Sequence, residues 1–345
     1  MNILLHTGRF LPDIGGLEAA ADLIACGLCA LDHSVTVTTR TAGAREANRH
    51  KLYRVVERPG RSEFLRLLRW SEIFVHNNIS GYAAWPLLFV SRPWVIVHQT
   101  WIPKGGVREP KGTLKRLLLS HAENISISCA VARNLSVPST VVGNPYDDCA
   151  FRVLSSVQRD RDVMFVGRLV SDKGVDVLLR ALAILASQGK RPVTAIAGDG
   201  PSRAELEAMT ARLGLSGNVT FVGTKTGAAL AELLNRHKIM VVPSSWEEPF
   251  GIVALEGIAC GCMVVAARSG GLPEAVGPCG KIFPKNDHAV LADDLALLLG
   301  RPELMASYQA RANDHLRKHS PQAVAERYLE VFSRVLSERG EKPEL

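Results

Sequence analysis

The sequence predicts an α/β protein made of two doubly wound, Rossmann-like domains, each a parallel sheet covered by helices on both faces. Three observations predict it. Short β-branched runs that are apolar along their whole length alternate with amphipathic segments, the pattern of strands buried on both faces. The alternation runs through twice, with a lapse between Asn144 and Arg161 where polar residues cluster. Glycine-rich or charged motifs directly follow several strands, where doubly wound sheets bind their ligands. Two such sheets facing each other would leave a central cleft.

In the first half the expected strands are Ile3-Leu4-Leu5, Val35 to Thr38, Ile73-Phe74-Val75, Val95-Ile96-Val97, Ile125-Ser126-Ile127 and Thr140-Val141-Val142. Helices are expected over Leu17 to Leu31, Ser62 to Trp70 and Thr113 to His121. In the second half strands are expected at Val163 to Val166, Val193 to Ala197, Val219 to Val222, Ile239 to Val242 and Met263 to Ala266. A short edge is expected at Val276 and Gly280 to Phe283. Helices are expected over Val175 to Gln188, Ser202 to Leu213, Ala228 to Arg236, Ile252 to Cys260, Leu291 to Leu299 and Pro321 to Arg339. The resulting division is residues 1–150, residues 151–320 and a terminal helix within 321–345.

Composition narrows the class. A chain of 345 residues exceeds one ordinary core, and 47% hydrophobic with 22% charged residues is globular composition. No run of about 18 apolar residues appears, so no membrane-spanning helix is expected. The N-terminus lacks a basic segment ahead of its apolar run, so it does not read as a signal peptide. Seven scattered cysteines point to a reducing, cytoplasmic setting. Cys26 and Cys29 fall in an apolar helix and read as buried small residues.

The net charge of +7 is unevenly spread. Residues 1–155 hold 18 Lys and Arg against 12 Asp and Glu, and the remainder holds 23 against 22. The excess gathers in Arg54, Arg58, Arg61, Arg66 and Arg69, and in Lys104, Arg108, Lys111, Lys115 and Arg116. Such clusters are often solvated faces; two in one half suggest an anionic membrane surface or an anionic acceptor. No motif supports binding to nucleic acid.

The most informative stretch runs from Ser244 to Gly257. A strand feeds a loop carrying Glu248, and a glycine turn at Gly251 opens an apolar helix that carries Glu256. The first helical amides, near Phe250, Gly251, Ile252 and Val253, lack intrahelical partners and can seat phosphate. Carboxylates on either side only accept hydrogen bonds, and sugar hydroxyls donate them. Phosphate flanked by hydroxyls describes a sugar nucleotide. A favourable helix dipole would equally account for an acid at this position. Arg168 at a strand end and Lys173 before a helix could neutralise a diphosphate. Gly15 and Gly16 open the first helix, and Gly198-Asp199-Gly200-Pro201 reads as a turn with Asp199 helping to cap the helix that follows. Ser269-Gly270-Gly271-Leu272-Pro273-Glu274 lets backbone approach a ligand, and His98 ends a strand.

Glu248-x7-Glu256, Gly167-Arg168-x4-Lys173-Gly174, Gly198-Asp199-Gly200-Pro201, Ser269 to Glu274 and Gly15-Gly16 together resemble the large bacterial group 1 family of retaining GT-B glycosyltransferases, of the family 4 type. The resemblance spans nearly the whole chain and is most specific in residues 163–283. It implies an acceptor-binding domain first, a nucleotide-sugar domain second and a last helix crossing back. By resemblance Glu256 accepts from the ribose hydroxyls, Glu248 and His98 contact the donor sugar, and Arg168 and Lys173 hold the diphosphate. Gly15 and Gly16 approach that diphosphate, amides from Phe250 to Val253 bind sugar or phosphate, and backbone near Val222 and Thr224 grips the base. The family often has Asp after the histidine, where this chain has Gln99.

The implied reaction is retaining hexosyl transfer from a nucleoside diphosphate sugar to a saccharide or lipid-linked saccharide in polysaccharide, lipopolysaccharide or glycoconjugate synthesis. A UDP-sugar is favoured over GDP-mannose. No metal and no cofactor are expected, and association with the inner membrane face would be peripheral. Two alternatives share the fold: a nucleotide-sugar epimerase, against which the two-glutamate pattern argues, and a binding protein without activity, against which the full set of Arg168, Lys173, Glu248 and Glu256 argues.

Overall fold

A computed structural model describes residues 1–13, 15–103 and 110–340, with side chains given for all of these except 110–112, 339 and 340. Lys104 and Arg108, and the side chain of Lys111, therefore lie outside the described residues. The chain divides into two compact units, Met1–Tyr146 with the chain from His319 onward, and Asp147–Lys318.

The first unit is a seven-stranded parallel sheet. Its strands are β1 (Asn2–Thr7), β2 (Ser34–Thr39), β3 (Arg54–Glu57), β4 (Ile73–Asn77), β5 (Trp94–His98), β6 (Glu123–Ser126) and β7 (Thr140–Val141), in the order β3-β2-β1-β4-β5-β6-β7. The chain first builds outward from β1 and then returns to its other side with β4, so the strand order reverses between these two. Strands β1, β4 and β5 are buried almost throughout, as their unbroken apolar runs require. Strand β3 was not expected, because only Val55 and Val56 separate charged Arg54 and Glu57.

The helix Gly16–Ala30 of this unit packs against the last helix, Pro321–Gly340. Gly27 permits the approach: a Cβ there would lie 2.5 Å from the carbonyl oxygen of Pro321. Val324, Ala325, Tyr328, Val331 and Phe332 are buried at helical spacing on the inner stripe of the last helix. From that helix Arg327 donates to the Val141 carbonyl at 3.0 Å, and Arg334 to Glu123 at 2.7 Å, tying it to the edge strands.

The second unit repeats the design with six parallel strands: β8 (Arg161–Val166), β9 (Thr194–Ala197), β10 (Val219–Gly223), β11 (His237–Val242), β12 (Met263–Ala267) and β13 (Gly280–Phe283). Their order is β10-β9-β8-β11-β12-β13, which puts the topological switch point between β8 and β11. Helices Val175–Ser187 and His288–Gly300 pack together over one core, built on Leu178, Leu182, Leu291 and Leu295. Val276, expected near an edge strand, instead ends the helix Leu272–Val276.

At the amino ends of the strands of this sheet, Arg159 gathers the ends of two helices. Its guanidinium donates to the carbonyls of Leu234 (3.3 Å), His237 and Cys260 (2.7 Å) and contacts the Cys262 sulfur at 3.8 Å. A cation at helix C-termini satisfies carbonyls that have no intrahelical donor and complements the helix dipoles. Replacing Arg159 by Ala should lower unfolding free energy by about 2 kcal/mol, from lost charge-assisted hydrogen bonds. Urea denaturation with an unchanged midpoint would contradict this role.

Candidate active site

The switch point of the second unit collects most of the residues singled out in the sequence. Three loops meet there: one after β8, one after β11 and one after β12. The loop after β11 is laced to the loop after β8, because the amides of Ser245 and Trp246 both donate to the Asp172 carbonyl, at 3.0 and 3.2 Å. The loop after β8 is laced to the turn after β9, where Leu169 N–H donates to the Asp199 carbonyl at 2.9 Å. Backbone groups, together with the Ser245 hydroxyl 3.2 Å from the Ser171 and Asp172 carbonyls, thus fix where Arg168 and Lys173 emerge.

Glu248 stands at the meeting point. Its Oε1 accepts from Lys173 Nζ and, at 2.7 Å, from the Ser244 hydroxyl, which is buried at 1% exposure. Among the described residues its Oε2 has no hydrogen-bond partner. Arg168 is exposed, and no acid pairs with it among the described residues. The turn after β11 ends at Gly251, whose φ of 109° directs the chain into the helix Ile252–Ala259, and no side chain caps this helix. Its first amides, at Gly251, Ile252 and Val253, face the end with positive partial charge. Phe250 is buried and anchors the turn.

Glu256 lies one turn into that helix and is half-buried, with no side-chain partner among the described residues. Burial, with the charge of Asp147 second, pushes its carboxyl up to about 7. Its anion is therefore disfavoured, and hydroxyl donors brought to it would favour the ionised form. Val222 sits where the β9–β10 register shifts, between Phe221 and Gly223, and Thr224 is exposed just beyond. An irregularity of this kind at the rim of a sheet turns a backbone segment away from the ladder.

Asp199 behaves differently from expectation. It makes no cap on the helix Arg203–Arg212; its carboxylate holds its neighbour's amide, Gly200 N–H, at 2.7 Å and pairs with Arg203 at 3.3 Å. Metal-type donor atoms come within 4.8 Å of one another at Asp147, Asp148 and Cys149. There Asp147 Oδ1 already accepts from the amides of Cys149 and Ala150, at 3.1 and 2.9 Å.

Gly15, Gly16 and His98 belong to the first unit. Gly15 precedes the helix Gly16–Ala30 in extended conformation, and the Glu18 carboxylate folds back over it, so that helix start already has an acid beside it. His98 is buried at the end of β5, with Nε2 2.9 Å from Asn124 Oδ1. Burial pulls its imidazole down to about 4, the Asn124 bond opposing, so it is neutral at physiological pH with the proton on Nε2. Among the described residues no helix is long and apolar enough to cross a membrane.

Comparison with known proteins bears on the family. The sequence model for glycosyl transferases group 1 matches residues 149–315, within the second unit. A D-inositol 3-phosphate glycosyltransferase of Corynebacterium jeikeium is 35% identical over 313 residues, 78% of this chain and 74% of that relative. The chain belongs to the group 1 glycosyl transferases. A D-inositol 3-phosphate glycosyltransferase of Saccharomonospora viridis is 34% identical over 206 residues, 56% of this chain and 47% of that protein, so the chain spans about half the length of that relative. Among solved structures, Anabaena Alr3699/HepE in complex with UDP and glucose is 20% identical with a TM-score of 0.78, covering 97% of this chain and 100% of that one. Sucrose-phosphate synthase of Thermosynechococcus elongatus is 20% identical with a TM-score of 0.79, covering 98% and 99%. These likenesses show the fold, the α/β GT-B architecture of two Rossmann-like domains.

Within this group 1 glycosyl transferase, sequence reading missed Ser244, Glu247 and Lys285. Glu247 accepts from Lys285 Nζ and from Gly270 N–H at 2.6 Å, and the Lys285 bond chiefly holds its carboxyl below the usual range. The doubled Glu247-Glu248 was the available signal: adjacent residues of an extended loop point to opposite sides, so two acids there serve two different neighbours.

Glu256 yields a pH test. Its folded value, about 7, exceeds the ordinary 4.5, so stability falls as pH rises from 4.5 toward 7, and the penalty is complete above 7. Glu256→Gln should therefore raise the thermal midpoint at pH 8 and leave it nearly unchanged at pH 4.5. Equal midpoints for the two proteins at pH 8 would contradict the raised value.

Proposed function

We propose that the protein is a retaining glycosyltransferase that moves a hexosyl group from a nucleoside diphosphate sugar, a UDP-sugar before GDP-mannose, to a hydroxyl of a saccharide or lipid-linked saccharide. The observation that carries the reading is the convergence at one switch point of Lys173, Glu248, a helix start with no side-chain cap and the carboxyl of Glu256, which has no side-chain partner among the described residues. The name of the Corynebacterium relative adds D-inositol 3-phosphate as an acceptor to assay.

In this reading Glu256 accepts from the ribose hydroxyls, and backbone at Val222 and Thr224 meets the base. The diphosphate lies against the amides of Gly251 to Val253, with Arg168 and Lys173 as counter-charges. Glu248 offers Oε2 to the donor-sugar hydroxyls while Oε1 stays with Ser244. The bond from the anomeric carbon to the phosphate oxygen breaks, and the acceptor oxygen bonds to the same carbon on the same face. The acceptor's proton passes to the departing phosphate oxygen. Rate enhancement comes from stabilising the charge that develops on the leaving diphosphate and from orienting the acceptor. Arg168, Lys173 and the helix start supply positive charge, so transfer runs without a metal.

A lipid-linked acceptor would bring the protein to an anionic surface. Helix Arg61–Trp70 supports this: it buries Phe64, Leu67 and Leu68 and exposes Arg61, Arg66, Arg69 and Trp70. Cosedimentation with vesicles containing anionic phospholipid should be lost when Arg61, Arg66 and Arg69 are all changed to Ala. Undiminished cosedimentation would remove this helix from any membrane role.

Calorimetric titration with UDP, GDP and ADP, without metal, tests the donor site. One nucleotide should bind selectively, and Lys173→Ala should weaken it by about tenfold or more, the value of a charge-assisted contact. Because Lys173 is engaged by Glu248 in the free protein, Glu248→Gln should tighten nucleotide binding while slowing sugar transfer. Binding of none of the three nucleotides would count against the reading.

A further inference from the structure

We propose that Lys285 and Glu247 form a brace that positions Glu248 toward the donor sugar, an inference that rests on the reading of the site as a nucleotide-sugar site. The segment 269–271 lies against the segment 246–248 rung by rung. Ser269 Oγ donates to the Trp246 carbonyl, Gly270 N–H to the Glu247 carboxylate at 2.6 Å, and Gly271 N–H to the Glu248 carbonyl at 2.7 Å. The outer rungs end on backbone carbonyls. The middle rung ends on a side chain, and Lys285 holds the other oxygen of that side chain.

The two segments are pressed together. Gly270 has φ of +53°, and a Cβ there would lie 2.1 Å from the Glu248 carbonyl oxygen. A shift of the middle rung therefore moves the peptide that carries Glu248. The neighbouring carboxylates serve opposite sides: Glu247 reaches Gly270 and Lys285, and Glu248 reaches Ser244 and Lys173. With side chains 51% and 33% exposed, the Glu247–Lys285 pair adds little to global stability. Its effect is local, on the register of the two segments and hence on the direction of Glu248. Lys285 and Glu247 are positioning residues that act through Glu248.

The test uses the full chain with Lys285→Ala, Glu247→Gln and Lys285→Arg, read by hydrogen exchange and calorimetry. Amide exchange of residues 269–271 should quicken by about tenfold in the first two variants, the loss of one charge-assisted bond, with little change in thermal midpoint. UDP should bind those variants as it binds the wild type, while the extra affinity of UDP-glucose over UDP falls about tenfold. Lys285→Arg should restore both readouts. Unchanged exchange overturns the brace. Faster exchange with UDP and UDP-glucose weakened in parallel, or not at all, overturns the positioning role. A wild type that binds neither UDP nor UDP-glucose overturns the UDP-sugar reading of the site instead, and exchange still decides the brace.

Discussion

The carboxylate of Glu248 receives Lys173 from the loop after β8 and Ser244 from the end of β11 at a single oxygen, and the rest of the site depends on that pairing. It joins the two central strands of the second sheet at the point where strand order reverses. Ser244 is buried, so its hydroxyl donates from a fixed place. Lys173 is partly exposed and can turn to another anion. One donor thus fixes the acid while the other is exchangeable, and among the described residues the second oxygen of the acid has no partner.

Charge in this unit is graded rather than massed. Arg168 is exposed and unpaired among the described residues, Lys173 is paired, Glu247 is held ionised by Lys285, and Glu256 is held near neutrality by burial. Three acids within ten residues of sequence therefore meet three environments. A sheet end with helix amides pointing outward favours an anion, and the half-buried acid behind it favours hydroxyl groups. The first unit presents a different balance at its strand ends, with Glu18 folded over the helix start after β1 and a neutral, tethered His98 at the end of β5.

Much of the fold was legible because its strands are continuous apolar runs, and such runs of four to six residues between helical segments admit little besides a parallel sheet. Strand β3 escaped because two valines between charges carry no period. The short helices Gly81–Ala84 and Cys129–Asn134 escaped because four to six residues are too few to display one. At the site, residues whose role lies in their own loop were visible: Arg168, Lys173, Glu248 and Glu256. Residues whose role depends on register between distant loops were not. Glu247 meets Gly270 and Lys285 only after three strands have been laid side by side. Asp199 is a local case: the turn before the helix leaves its carboxylate beside Arg203, four residues on, instead of beneath the amides.

The terminal helix has a consequence for how the gene can be handled. Tyr146 N–H donates to the His319 carbonyl at 3.2 Å, and His319 Nδ1 lies 3.0 Å from the Asn144 carbonyl, so the chain leaves and re-enters the first unit at adjacent points. The segment from Asp147 to Lys318 is therefore an insertion whose two ends are neighbours. A short loop could close the gap, and a homologous insert with ends equally close could be grafted into the same seam. The architecture is that of a cassette: the segment bearing Glu248 and Glu256 is entered and left through one pair of hydrogen-bonded neighbours.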